Sequence, residues 1–218
     1  MRFWLFAITI GVIAYGLAEG ADARIAVRKS IPTVTKSTAM ITRGAAEAPI
    51  GHKMFCKKYH SACKRSKAFE SGTVILTKKK FQELQTLNRN VNRSIHPMSD
   101  MAQYKVIERW IYPKTGKGDC EDYVLEKQRE LIKAGWPQSA LLITVVRDEH
   151  GEGHAVLTVH TNHGDYILDN KNLEVLPWKD TNYVYIKRQS ATNPQHWETL
   201  VAASRQPSVA ASGIASKK

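Results

Sequence analysis

Acidic residues are scarce in this chain: 20 Asp and Glu stand against 32 Lys and Arg, which leaves +12 over 218 residues. A balance this basic suits an acidic partner, or a phospholipid or polysaccharide surface. No nucleic-acid-binding motif accompanies the charge, so it is not read as a nucleic-acid footprint. A membrane-spanning run is also missing. The apolar stretch Phe3 to Leu17 covers 15 positions, short of the roughly 20 a helix needs to cross a bilayer. It follows Met1-Arg2 and precedes Ala21-Asp22-Ala23, the positive start, apolar stretch and small-residue site of a secretory signal cleaved after Ala23. Export, and with it a periplasmic location, is therefore expected. No cysteine stands near the site to accept a lipid. The segment carries one base and two acids, so the remainder would stand at +13.

Cysteine is equally sparse. Cys56, Cys63 and Cys120 are an odd set, so at least one stays unpaired. Export permits disulfides. Cys56 and Cys63 are close enough in sequence to staple one loop, and pairing them would leave Cys120 as a free thiol. A zinc site shared with His52 and His60 is the rival, but the tight paired ligand spacing of such sites is missing.

The chemistry is best placed in Gly118-Asp119-Cys120-Glu121-Asp122-Tyr123. The run Lys114 to Gly118 cannot hold regular structure and Asp119 is a good N-cap. Val124, Leu125, Leu131 and Ile132 then recur at helical spacing until Gly135 and Pro137 stop it. Cys120 thus opens a helix of about four turns. There it meets unpaired N–H groups and the positive end of the helix dipole, which favour thiolate. Downstream, the glycine-rich turn Gly151 to Gly153 delivers His154 onto an alternating strand, and Asp169 closes the strand Tyr166-Ile167-Leu168. A helix-tip Cys followed by His and then Asp on adjacent strands is the nucleophile, base and orienter order of papain-like catalysis. His150, His160 and His163 are poorer bases by position.

The hexapeptide, with His154 and Asp169 behind it, resembles the bacterial transglutaminase-like cysteine peptidases of the LapG type. The likeness runs upstream through Pro49-Ile50-Gly51, Phe55-Cys56, Val91-Asn92, Asp100, Tyr104, Trp110 and Pro113, and covers roughly residues 48–190. It implies a papain/transglutaminase-like α+β fold and peptide-bond hydrolysis of a protein substrate such as a surface adhesin. It also implies control by an inhibitory membrane receptor and a monomeric enzyme. Carboxylates crowded beside a thiol oppose its ionisation, and a hard cation would relieve that. The resemblance implies calcium held by Asp119 and Glu121, with Asp122 as a further candidate. Acids that merely suit a helix N-terminus are the alternative. Acyl transfer to an amine would use the same three catalytic residues, and a non-catalytic binding module could keep the same fold.

In order along the chain, 1–23 is the signal, 24–48 a mobile lead-in, 49–190 the peptidase domain and 191–218 an extension with a mostly disordered tail. Pro49 to Gly72 is read as the stapled loop, and Thr73 to Leu76 as a short strand. Thr77 caps a basic amphipathic helix from Lys78 to Ile95, and Met101 to Tyr112 is a second helix with Tyr104, Ile107 and Trp110 or Ile111 inward. Strands follow over Ala140 to Arg147, His154 to Thr161, Tyr166 to Asp169 and Tyr183 to Lys187: helices first, then an antiparallel sheet. A two-residue turn at His163-Gly164 would set Thr158 opposite Asp169. That would leave His154 four positions from its orienter, about 13 Å at 3.3 Å per residue.

Overall fold

The computed structural model describes residues 34, 36–65 and 73–201. The signal segment, most of the lead-in and the tail beyond 201 lie outside them. Among the described residues no helix is long and apolar enough to cross a membrane.

Chain order is β1 (Thr42–Ala46), α1 (Ile50–Lys58), α2 (Lys78–Ser94), β2 (His96–Pro97), α3 (Asp100–Tyr104), β3 (Lys117–Gly118) and α4 (Cys120–Lys133). Then come β4 (Leu141–Arg147), β5 (Gly153–Thr161), β6 (Gly164–Leu168), β7 (Leu176–Pro177), β8 (Val184–Gln189) and β9 (Trp197–Leu200). Seven strands form one antiparallel sheet in the order β1-β9-β8-β4-β5-β6-β7, and β2 pairs with β3 separately. The fold is α+β, as the order of patterns in the sequence requires.

Helix α2 starts where Thr77 accepts the Lys80 N–H, a cap worth about 1 kcal/mol. It buries Phe81, Leu84 and Val91. Helix α4 buries Val124, Leu125 and Leu131 in the main core with Ala155, Leu157 and Val159 of β5. Each such aliphatic side chain contributes roughly 1.5–3 kcal/mol, which fixes the helix that carries Cys120 against the strand that carries His154. The opposite sheet face has its own core of Val146, Val156, Ile167, Trp178, Tyr185 and Leu200, joined by Met40.

Four local expectations are corrected. Thr42–Ala46, placed in the mobile lead-in, is an edge strand paired with β9, and β9 itself falls within the expected C-terminal extension. Pro49 to Cys63 is helical rather than a loop: α1 is followed by a 3-10 turn over His60–Cys63. The expected strand Thr73 to Leu76 supplies only a bridge between Val74 and Thr161. The expected helix Met101 to Tyr112 stops at Tyr104, because Lys105 takes a left-handed conformation, φ 60°. Asp100 then accepts the Arg109 N–H and Asp122 the Ile111 N–H, folding the segment into an irregular wall. As a result Ile107 is 87% exposed, although Trp110 is buried as expected.

The hairpin register matters most for the site. Thr161 pairs with Gly164, so the turn is Asn162-His163 and Leu168 lies opposite Leu157. Gly164 sits at φ +97°, and a Cβ there would strike Ser37 and Thr38 backbone at 2.4 Å. Only glycine suits that position. The shift brings Asp169, just beyond β6, two positions nearer to His154 along the ladder than a His163-Gly164 turn would.

Candidate active site

The N-terminus of α4 and the start of β5 open onto a shared cleft of about 260 Å³, lined by Cys120, Glu121, His154, Ala155, Trp110 and Glu108 among others. Cys120 is a free thiol. Its sulfur lines the same cleft as the His154 imidazole. The thiol donates to Glu121 Oε2 at 3.2 Å. Among the described residues it makes no hydrogen bond to the imidazole.

His154 and Asp169 are joined at 2.9 Å through Nε2 and Oδ1, with both side chains almost wholly buried. With Nε2 carrying its hydrogen toward the carboxylate, Nδ1 is left as the basic nitrogen. Asp169 Oδ1 also accepts the Lys171 N–H, and Oδ2 accepts the Tyr183 hydroxyl. Burial alone would raise the Asp169 pKa, but the bonds from His154, Tyr183 and Lys171 outweigh it and hold the carboxyl below its ordinary value. Burial, reinforced by the Asp169 charge, raises the Tyr183 phenol, which stays a donor.

Two further acids organise the surroundings. Asp148 Oδ1 accepts the N–H groups of His150 and Glu152, shaping the turn that delivers His154, while Oδ2 binds Lys171 at 2.6 Å. The turn before His154 and the loop after Asp169 are thereby tied together. Asp165, the other acid of the hairpin, is committed to His160, the Met40 N–H and Arg188. It has no remaining oxygen to offer His154.

Beneath the cysteine lies a knot of carboxylates. Asp100, Asp119 and Glu121 place ligand oxygens within 4.8 Å of one another. Asp119 precedes α4 but makes no side-chain cap bond. Instead its Oδ2 accepts the Asp100 N–H, and Oδ1 is buried without a hydrogen-bond partner. Burial and the Asp119 charge push Asp100 up to about 6 and Glu121 well above the usual carboxylate range. Burial likewise raises Asp122 to about 8. Burial, then the Glu121 charge, pushes the Cys120 thiol well above its ordinary value. Oxygen-rich, buried and charge-crowded, the cluster has the donor chemistry of a hard divalent cation such as calcium.

Asp122 has one oxygen on the Ile111 N–H and the other unpartnered. The expected pair Asp119 and Glu121 is therefore extended by Asp100, whose role no local pattern announced. Tyr183 was also missed, since a tyrosine before a strand reads as core. The rival zinc set offers no thiolates, because the sulfurs of Cys56 and Cys63 are bonded to each other.

A thiol at a helix tip, packed on an antiparallel sheet that carries a buried His–Asp pair, defines the papain/transglutaminase-like class of thiol enzymes. The chain belongs to the bacterial transglutaminase-like cysteine proteinases, whose family model matches residues 42–205, and it is a cysteine peptidase. No curated protein matches it. Among solved structures, calcium-bound LapG of Legionella pneumophila is similar at 20% identity, with 74% of this chain and 84% of that one covered and a TM-score of 0.47. The EGTA-treated form of LapG gives 20% identity, 72% and 93% coverage, and 0.47.

Proposed function

We propose that this chain is an exported cysteine endopeptidase in which Cys120 is the nucleophile, His154 the general base and acid, and Asp169 the orienter. The observation that carries the reading is the buried His154–Asp169 pair, opening on the cleft that the Cys120 thiol also lines.

In the reaction, His154 Nδ1 takes the thiol proton and the sulfur attacks the carbonyl carbon of a substrate amide. The Cys120 N–H, at the helix start where backbone donors lack intrahelical partners, is the donor we assign to the developing oxyanion. The imidazolium then protonates the departing amine nitrogen as the C–N bond breaks, leaving a thioester. His154 next removes a proton from water, which attacks the thioester carbon. The carboxylic acid leaves, and the sulfur regains its proton. Asp169 holds the ring tautomer and balances its positive charge throughout. The ion we assign to Asp100, Asp119 and Glu121 is calcium, which when bound offsets the carboxylate charge that otherwise keeps the neighbouring thiol protonated.

The substrate we favour is a cell-surface protein of adhesin type met in the periplasm, with an inhibitory membrane receptor as regulator. This part rests on the signal-like opening and the family's LapG-type likeness rather than on the site's geometry. The test is mass spectrometry of exported proteins in the presence of the parent or Cys120→Ser chain, with a labelled amine added. One new N-terminus that depends on Cys120 supports hydrolysis. Label incorporated without chain cleavage would replace it with acyl transfer.

A further inference from the structure

Lys127 lies seven residues beyond Cys120 on α4, and its side chain is fully buried. Among the described residues its ammonium has no hydrogen-bond partner. The ring of Tyr123 lies 5.9 Å from the charge. A buried ammonium left in this state is expensive, and such groups are usually matched to buried acceptors directly or through internal water.

Acceptors in that state are at hand. Asn88 Oδ1, Asn92 Oδ1 and Asn170 Oδ1 are all buried and unpartnered. Asn88 and Asn92 stand one turn apart on α2, the helix packed beside α4. Their Nδ2 groups clamp the loop after β6: Asn88 donates to the carbonyls of Asn172 and Leu173, and Asn92 to those of Asp169 and Asn172. While each amide nitrogen serves the loop, its oxygen stays buried and unused. Burial lowers the Lys127 pKa to about 7, and the charge of Asp169, which reaches it, opposes that effect.

We infer that Lys127 is a positioning residue: through Asn88, Asn92 and buried water its ammonium ties the helix that carries the nucleophile to the loop that carries Asp169. Three donor hydrogens on one side and three unmet oxygens on the other close into one internal network. The network fixes the orienter from behind, while Tyr183 and Lys171 fix it from the front. The inference rests on the proposed triad.

The test is the rate at which iodoacetamide alkylates Cys120 in the full chain at pH 6, in calcium-containing buffer, where a thiol reacts only if paired with imidazolium. Lys127→Met, of similar length without charge, is expected to slow alkylation about tenfold, but by less than about twofold when Asp169 is already Asn. Rescue is a second readout: Lys127→Arg keeps a buried cation and is expected to react faster than Lys127→Met. Should Lys127→Met not fold, Asn92→Ala, which cuts the same link, takes its place in the cycle. Equal slowing in both backgrounds, or a lowered melting temperature with an unchanged alkylation rate, would overturn the inference. His154→Ala separates the two failures. If it leaves alkylation unchanged, the triad is wrong; if it slows alkylation while Lys127→Met does not, only the positioning role is lost.

Discussion

Tyr183 donates its hydroxyl hydrogen to the Asp169 carboxylate that holds His154, so the carboxylate we propose as orienter is itself held by a residue from the approach to β8. Removing that hydroxyl takes one charge-assisted hydrogen bond from a buried carboxylate. Tyr183→Phe is expected to cost about 1.5–3 kcal/mol in stability and to lower peptidase turnover while leaving the fold intact. Chemical denaturation and turnover measured side by side check it, and unchanged values in both would show the contact to be idle.

Asp100 supplies the third oxygen of the carboxylate cluster and is 3% exposed. Asp100→Asn keeps the shape and the bond to the Arg109 N–H while removing charge from the cation site. Calcium affinity measured by calorimetry should fall by at least about tenfold. The parent chain, but not Asp119→Ala, should gain melting temperature on calcium addition. A calcium response that survives both substitutions would place the ion elsewhere.

Asp148 is held down to about 2, chiefly by its hydrogen bond from Lys171, with the Glu152 and His150 N–H groups adding to the effect. A depressed folded-state pKa contributes stability that is fully present above the ordinary carboxylate value and is lost as pH falls through about 2. The melting gap between parent and Asp148→Asn should therefore be constant near neutrality, begin to shrink below about pH 4, and close toward the bottom of that window. A gap that does not change with pH would mean the acid acts by shape alone.

Cys56 and Cys63 close a short loop, and neither lines the cleft that holds Cys120. Cys56→Ser should lose about 2–3 kcal/mol of stability without altering the reactivity of Cys120. Thermal melting with and without reductant reads the first effect, and iodoacetamide labelling at Cys120, resolved by peptide mass spectrometry from the Cys63 thiol that the substitution frees, reads the second.

Cys120, His154 and Asp169, which we propose as nucleophile, base and orienter, stand out in the sequence because each lies at a boundary with strong local signals. The Lys114 to Gly118 run precedes Cys120, the Gly151 to Gly153 turn precedes His154, and the alternating strand ends at Asp169. What was hidden came from contacts distant in sequence. The end of α3 at Tyr104 depends on Asp100 and Asp122 capturing backbone N–H groups of Arg109 and Ile111, which no periodicity reveals. The hairpin register turned on one residue: Gly164 reads equally well inside a turn or after it. The packing of Ser37 and Thr38 against it selects the second. Gly118 likewise reads as a loop residue, yet a Cβ there would lie 2.5 Å from the Asp122 carboxylate. Its smallness lets α4 begin against β3.

Residues 37–41 cross the sheet face opposite the helices. Ser37 bonds the His163 carbonyl and the Asp165 carbonyl, Met40 enters the second core, and Trp178 donates to the Thr38 carbonyl. The family match begins only at residue 42. A recombinant version trimmed to that boundary would strip a strap from Ile167 and its neighbours, leaving an oily underside and a thermolabile, self-associating preparation. One started at 36 or earlier keeps that side dry.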